Sequence, residues 1–281
     1  MGYAALLVHA EPDEAAEARI RLAAGLADRF DAALIGLASR EVMPSAVTAP
    51  VLGGAVAAEV LEAEQQRAEA GLRAAQARFR AAAEREGRRT GWRSFLEHPA
   101  DALGREARAA DLLVLGRGRG ASWQGTSWAV DPGDVLMRAG RPVLVVPPGV
   151  SALEGRRVLV AWKDTREARR AVADALPLLV RAEEVLVLEV VQDDAEEVEQ
   201  ARGRADDAVA FLARHGAPAR GGAAGLRGPA GADELLFAAE RQGADLIVAG
   251  AYGHTRLREW AFGGVTRDLL ARCPTCCLLS H

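Results

Sequence analysis

The sequence predicts an α/β protein made of two tandem copies of an open, five-stranded parallel-sheet unit, and three observations carry that prediction. The segment "ADLLVLGR" (110–117) recurs as "ADLIVAGA" (244–251), each followed by a helical stretch and an apolar strand entered through proline, "RAGRPVLVVP" (138–147) and "ARCPTCCLLS" (271–280). The starts of the copies also superpose without a gap, "ALLVHAEPDEAAEARIRLA" (5–23) over "RVLVAWKDTREARRAVADA" (157–175). Finally, short β-rich runs alternate with helical patterns of crossover length, which means a parallel sheet covered on both faces. Self-similarity at domain length sets the seam near 147–151, giving an N-terminal domain at 1–149 and a C-terminal domain at 150–281.

In the second copy the order of elements follows from changes of hydrophobic period. Strands are expected at 157–162, 184–191, 218–224, 244–250 and 275–280, and helices at 165–180, 195–215, 230–242 and from about 264. The first copy repeats this succession, with its second helix lengthened across an Ala/Glu/Arg-rich stretch from about 55 to 88. That composition would suit a coiled coil, but a crossover helix with a solvated face accounts for it without a partner. The closing strands, 142–147 and 275–280, would be bare sheet edges, which proteins cover. The copies are therefore expected to pack about a pseudo-two-fold axis through their last strands, and a homodimer of the whole chain is a further expectation.

Length and composition restrict the function classes. Half of the 281 residues are apolar, so a sizeable core is expected, and a formal net charge of −4 leaves no electrostatic footprint for nucleic acid or an anionic membrane. The densest basic stretch, 85–93, reads as a solvated helix end. Residues 1–9 carry no basic segment ahead of their short apolar run, and no run approaches a membrane span, so a cytoplasmic location is expected. The three cysteines, Cys273, Cys276 and Cys277, cannot form a disulfide framework. Their C-x-x-C spacing would suit redox chemistry or, with His281, a metal; but a closed zinc site wants four ligands, and strand-like "CCLL" suits small apolar residues of a terminal strand.

One stretch breaks the regular pattern. "GAYGHTRLREWAFGGVT" (250–266) holds four glycines in two interruptions, and glycine is used where backbone must turn with positive φ or approach a ligand closely. Lys163, just beyond the first strand of the same copy, is the only lysine among 35 basic residues. Its compact ammonium does what a guanidinium cannot, which nominates it as a phosphate or carboxylate contact; the alternative is a lysine that merely caps a strand end.

With its repeat and its glycine spacing, the chain resembles the universal stress protein family in its tandem form, over nearly its whole length. Nucleotide-binding members carry Gly, two residues, Gly, nine residues, Gly and then Ser or Thr; Gly250, Gly253 and Gly263 stand at those intervals, with Gly264 in the Ser/Thr place. The resemblance implies a Rossmann-like, adenine-nucleotide α-hydrolase-like sheet of order 3-2-1-4-5, with a ligand crevice beyond the carboxyl ends of strands 1 and 4. It implies an ATP-like adenine nucleotide, with no metal beyond nucleotide-bound Mg, held by Lys163, Asp164, Thr165, Val190, Gly250, Gly253, Gly263, Gly264, Val265 and Thr266. Gly263 and Gly264 would open the last helix, whose free N–H groups and dipole receive phosphate. Lys163 stands where the family usually has Asp, leaving Asp164 one residue late and Thr165 in the place of a Ser, and Gly264 leaves main-chain donors only.

Tyr252, His254, Arg256 and Arg258 would overhang the crevice, or be merely solvated. The first copy is expected to have lost the site, since "DPGD" (131–134) lies opposite "GGVT" (263–266) and sets two carboxylates and a proline where phosphate would sit. Trp123 and Trp128 are either packed beneath the longer segment of that copy or part of a partner surface. Three functions remain open: a stress-response protein that binds a nucleotide and acts through ligand-dependent interaction, a non-nucleotide interaction scaffold, or a nucleotide hydrolase or transferase. Against the last, no paired carboxylates, metal cluster or P-loop signature occurs, and no catalytic residue is nominated.

Overall fold

The structure, a computed structural model, describes residues 2–42, 54–117, 128–226, 231–251 and 264–281, with the backbone alone at 54–57. The first copy runs β1 (Ala5–His9), α1 (Glu14–Phe30), β2 (Ala33–Ser39), α2 (Gly54–Ala83), β3 (Thr90–Phe95), α3 (Pro99–Glu106), β4 (Leu112–Gly116), α4 (Pro132–Ala139) and β5 (Val143–Val146). The second runs β6 (Arg157–Trp162), α5 (Arg166–Leu179), β7 (Glu184–Val191), α6 (Ala195–Arg214), β8 (Ala219–Gly225), α7 (Gly231–Gln242), β9 (Leu246–Gly250), α8 (Gly264–Arg272) and β10 (Cys276–Ser280).

All ten strands join one sheet in the order β3-β2-β1-β4-β5-β10-β9-β6-β7-β8, so each copy shows the order 3-2-1-4-5. Every strand pairing is parallel except the central one, where β5 and β10 meet antiparallel in the register Val145 to Cys277, Leu144 to Leu278 and Val143 to Leu279. Alternation along the strands feeds two buried layers. One collects Leu6, Val8, Val158, Val160 and Leu278 beneath α1, α2, α5 and α6. The other collects Leu7, Leu113, Leu159, Ile247 and Leu279 beneath α3, α4, α7 and α8. Each layer continues through both copies.

Further contacts tie the copies together. Tyr3 donates its hydroxyl to the Asp174 carbonyl (2.8 Å), and Arg29 donates to the carbonyls of Leu153 (2.7 Å) and Glu154 (2.6 Å). The guanidinium of Arg181 lies 4.8 Å from the Phe30 ring centroid. The repeated "AD" before each fourth strand has a structural reason. Asp111 accepts from the backbone N–H groups of Ala4 (2.7 Å) and Ala5 (3.1 Å), and Asp245 does the same for Gly155 (2.7 Å) and Arg157 (3.3 Å). In both copies this carboxylate fastens the start of the fourth strand to the start of the first.

The expected second helix of the first copy stops at Ala83 rather than near 88, and Gly87, in the turn that follows, takes φ +82°, a conformation that glycine adopts without strain. Trp128 is packed: a Cβ on Gly71 of α2 would sit 2.9 Å from its Cη2, so this mid-helix glycine makes the notch for the indole. The Arg40 guanidinium lies 5.5 Å from the same ring. Trp123 lies outside the described residues.

Because the outer edge of β5, the one away from β4, is covered only by β10 of the other copy, residues 1–149 expressed alone should self-associate through the bared edge. Size-exclusion chromatography with light scattering tests this, and a well-behaved monomer is the opposing result.

Candidate functional site: the crevice between β6 and β9

β6 and β9 are adjacent and parallel, with Ala161 opposite Ala249, and the chain leaves them toward opposite faces of the sheet, through α5 on one side and α8 on the other. This divergence makes the carboxyl ends of β6 and β9 the switch point of the sheet, the place where ligands settle in a crevice in open α/β folds.

The first wall is the turn from β6 into α5. Thr165 is the N-cap of α5, its hydroxyl accepting from the Ala168 N–H (3.3 Å) while its own N–H donates to the Lys163 carbonyl (2.6 Å). The Asp164 carboxylate is held by Arg169 at 2.6 Å, both side chains about half exposed. Lys163 is exposed, and no hydrogen bond or ion pair joins its ammonium to other described residues. Thus the hydroxyl and carboxylate of this turn serve α5, and the ammonium is left to solvent or a ligand.

The second wall is the start of α8. Gly264 is exposed, and a Cβ there would meet nothing within 4 Å, so packing does not require glycine at this position. Val265 is exposed, while Thr266 is turned into the interior. Around Gly231, the first residue of α7, three elements converge: a Cβ there would lie 3.6 Å from Val265 Cγ2 and Leu226 Cδ2 and 4.0 Å from Val190 Cγ1. The geometry therefore brings Val190 and Val265 to one apolar corner. Gly231 was not nominated from sequence; its only signal is the glycine-rich run "GPAG" (228–231).

Gly250 has a different explanation. A Cβ on it would overlap the backbone nitrogen of Ala168 and lie 2.8 Å from Ala168 Cα, so the end of β9 must be glycine for α5 to pack against it. Gly253 and Gly263, with Tyr252, His254, Arg256 and Arg258, lie outside the described residues. Sequence reading also missed Glu189 on β7, a buried carboxylate gripped by Arg204, whose Nη2 is 2.9 Å and Nε 3.1 Å from Glu189 Oε1. Nothing in "VLVLEVV" (185–191) marks it except a charge inside an apolar strand.

The corresponding crevice of the first copy is filled by its own side chains. Arg19, buried in α1, donates Nε to the His9 carbonyl (2.9 Å) and Nη2 to Glu11 (3.2 Å), and its guanidinium presses on Gly116, where a Cβ would be 3.2 Å from Cζ. In the alignment of the copies, Arg19 falls on Ala171 and Glu11 on Lys163, so the second copy has neither the plug nor the negative charge. The N-terminus of α4 is occupied too: Asp131 accepts from the Gly133 N–H (2.8 Å). His9 is fully buried and neither ring nitrogen makes a hydrogen bond, although Nδ1 lies 3.5 Å from Glu11 Oε1; burial lowers its pKa to about 4, with Arg19 adding to the effect against the opposing pull of Glu11.

Among the described residues no group of three or more His, Cys, Asp or Glu is arranged to hold a metal, and no helix is long and apolar enough to cross a membrane. Residues 155–281 match the model of the Universal stress protein family. The whole chain is similar in structure to a universal stress protein from Archaeoglobus fulgidus, with a TM-score of 0.64 and 16% identity, covering 98% of this chain and 95% of that one. A functionally unknown protein from Pseudomonas aeruginosa is similar at a TM-score of 0.59 and 17% identity, covering 98% and 92%. At such identities the likeness is one of fold. No curated protein sequence matches the chain.

Two outcomes follow. Gly250→Ala should lose about 2–3 kcal/mol of stability from overpacking against α5, whereas Gly264→Ala should be neutral or gain up to about 1 kcal/mol; urea denaturation of both compares them. Unfolded His9 takes up its proton below its ordinary value near 6.5, but folded His9 only near pH 4. Stability should therefore fall by about 3 kcal/mol across that window, and His9→Leu should remove that portion of the acid sensitivity in denaturation curves taken from pH 7 to 4.

Proposed function

We propose that the second unit of this tandem protein, a universal stress protein family domain over residues 155–281, binds an ATP-like adenine nucleotide or a similar polyanion between β6 and β9. Binding would change which partners the protein engages. The observation that carries this reading is the contrast between the two crevices. The first is occupied by Arg19 and Glu11 and its helix start is capped by Asp131; the second carries Lys163 with its ammonium unengaged among described residues, Ala171 in place of the arginine, and Gly264 bare at the first turn of α8.

In this reading, Lys163 supplies a positive charge to the phosphates, and the free N–H groups of α8 at Gly264, Val265 and Thr266 receive them. The corner of Val190, Gly231 and Val265 offers an apolar surface for the base. Gly253 and Gly263 belong to the proposed loop. Thr165 and Asp164 shape the turn that presents Lys163, and Gly250 lets α5 approach. Any Mg would arrive with the nucleotide, bound to its phosphates. Occupancy stabilises the state that binds, by about 2.7 kcal/mol at a hundredfold excess over Kd, enough to shift a loop or an interface.

Calorimetric titration of the full chain with MgATP tests the proposal. One site per chain is expected, and Lys163→Ala should weaken it by roughly 1.5–3 kcal/mol, about 10- to 150-fold, with Lys163→Arg restoring only part. Two equivalent sites, or wild-type affinity in Lys163→Ala, would sink the reading and leave an interaction scaffold.

A further inference from the structure

The three cysteines near the C-terminus are sorted by the fold in a way their spacing does not announce. Cys276 and Cys277 are consecutive on β10 and face opposite sides of the sheet, Cys276 into the layer beneath α5 and Cys277 into the layer beneath α8. Cys273, at the end of α8, with its N–H donating to the Leu269 carbonyl (3.1 Å), lies in the same layer as Cys277. The C-x-x-C pair is therefore split across the sheet, and the two thiols on one side of it are Cys273 and Cys277, four residues apart across a turn whose Thr275 carbonyl accepts from the Cys277 thiol (3.8 Å).

A cation stands beside them from the other copy. Arg117, just past β4, donates Nη1 to the Cys273 carbonyl at 2.9 Å. The Cys277 thiol and then the backbone and Arg117 hold the Cys273 thiol below its ordinary value, while the contact with Cys273 and burial push Cys277 up. Cys276, buried without such help, is pushed up to about 12. Thiolate character is what makes a cysteine attack peroxide, so the three sites are unequal as nucleophiles. Cys273 is buried, but its neighbours Arg272 and Pro274 are exposed, so one residue at a helix end separates it from solvent.

We propose that Cys273 and Cys277 form an oxidisable dithiol, with Cys273 as the site attacked by hydroperoxides and Cys277 as the thiol that resolves it. The Cys273 thiolate attacks one oxygen of hydrogen peroxide, the O–O bond breaks, and the departing hydroxide takes a proton to become water, leaving a sulfenic acid. The Cys277 sulfur then attacks the Cys273 sulfur, the S–S bond forms, the S–O bond breaks, and the leaving hydroxide takes the Cys277 proton as a second water. In sum, two thiols and one peroxide give a disulfide and two waters. A covalent bond of about 2 Å between these sulfurs would fasten the end of α8 to β10 at the junction with the first copy.

The native full-length protein, treated with excess hydrogen peroxide, then denatured, alkylated and digested with trypsin, tests this. The peptide 273–281 should appear two hydrogens lighter, with its single alkyl group on Cys276. Cys276→Ser should still close the bridge, and Cys277→Ser should leave a sulfenic acid on Cys273 that dimedone traps. A bridge or dimedone adduct that includes Cys276 would overturn the assignment. So would three intact thiols in the native protein under conditions that oxidise the unfolded chain; because both of these readouts are on the wild-type protein, neither depends on a variant folding.

Discussion

The antiparallel pairing of β5 with β10 is the constraint on which the rest of the molecule depends. Each copy builds its own parallel sheet by βαβ crossovers, and each would end on an apolar strand, "VLVV" or "CCLLS", buried along its whole length in the structure. Joined, they form one sheet whose two buried layers pass uninterrupted from copy to copy. The flanking contacts of Tyr3, Arg29 and Arg117 lie at this same boundary and reach carbonyl groups of the second copy. With the junction supplying the pairing, the crevices at the carboxyl ends were free to diverge in chemistry.

That divergence is visible as exchanged side chains on a retained frame. Asp111 and Asp245 perform the same task, and Gly116 and Gly250 both end a fourth strand without a Cβ. The atoms that use the missing Cβ differ. In the first copy it is the Arg19 guanidinium, which is itself pinned by Glu11 and the His9 carbonyl; in the second it is the α5 backbone. The small Ala171, where the first copy has arginine, lets α5 lie close to β9. One crevice has become part of the packed interior, and the other keeps a charged rim.

The fold was legible because its signals are periodic and repeated: alternation on the strands, crossover-length helices and two superposable copies identified the elements and the junction, while the strand order came from the family resemblance. The site was legible only in part, because a glycine in a sequence does not say what approaches it. Gly250 reads as a ligand wall, yet the approaching atoms belong to Ala168, 82 residues earlier in the chain. Likewise, the Arg19 plug depends on Gly116, and the gripping of Glu189 on Arg204, contacts that follow from tertiary packing rather than spacing. Thr165 and Asp164 fall where the family resemblance places site residues, but local helix capping and an ion pair across one turn engage their polar groups. The cysteines show the same gap: spacing suggests 273 with 276, and the two-residue period of a strand separates them.

The fused junction also sets how the protein responds to its own abundance. Two separate subunits would pair in proportion to their concentration, whereas here the second edge is tethered to the first by the short run between β5 and β10's own copy, so pairing is an intramolecular event at a high effective molarity. Assembly of the sheet is then the same at scarcity and at excess. If the proposed site binds, one such site per joined sheet would read a dose of ligand along a hyperbola, chain by chain, a graded meter rather than a threshold switch.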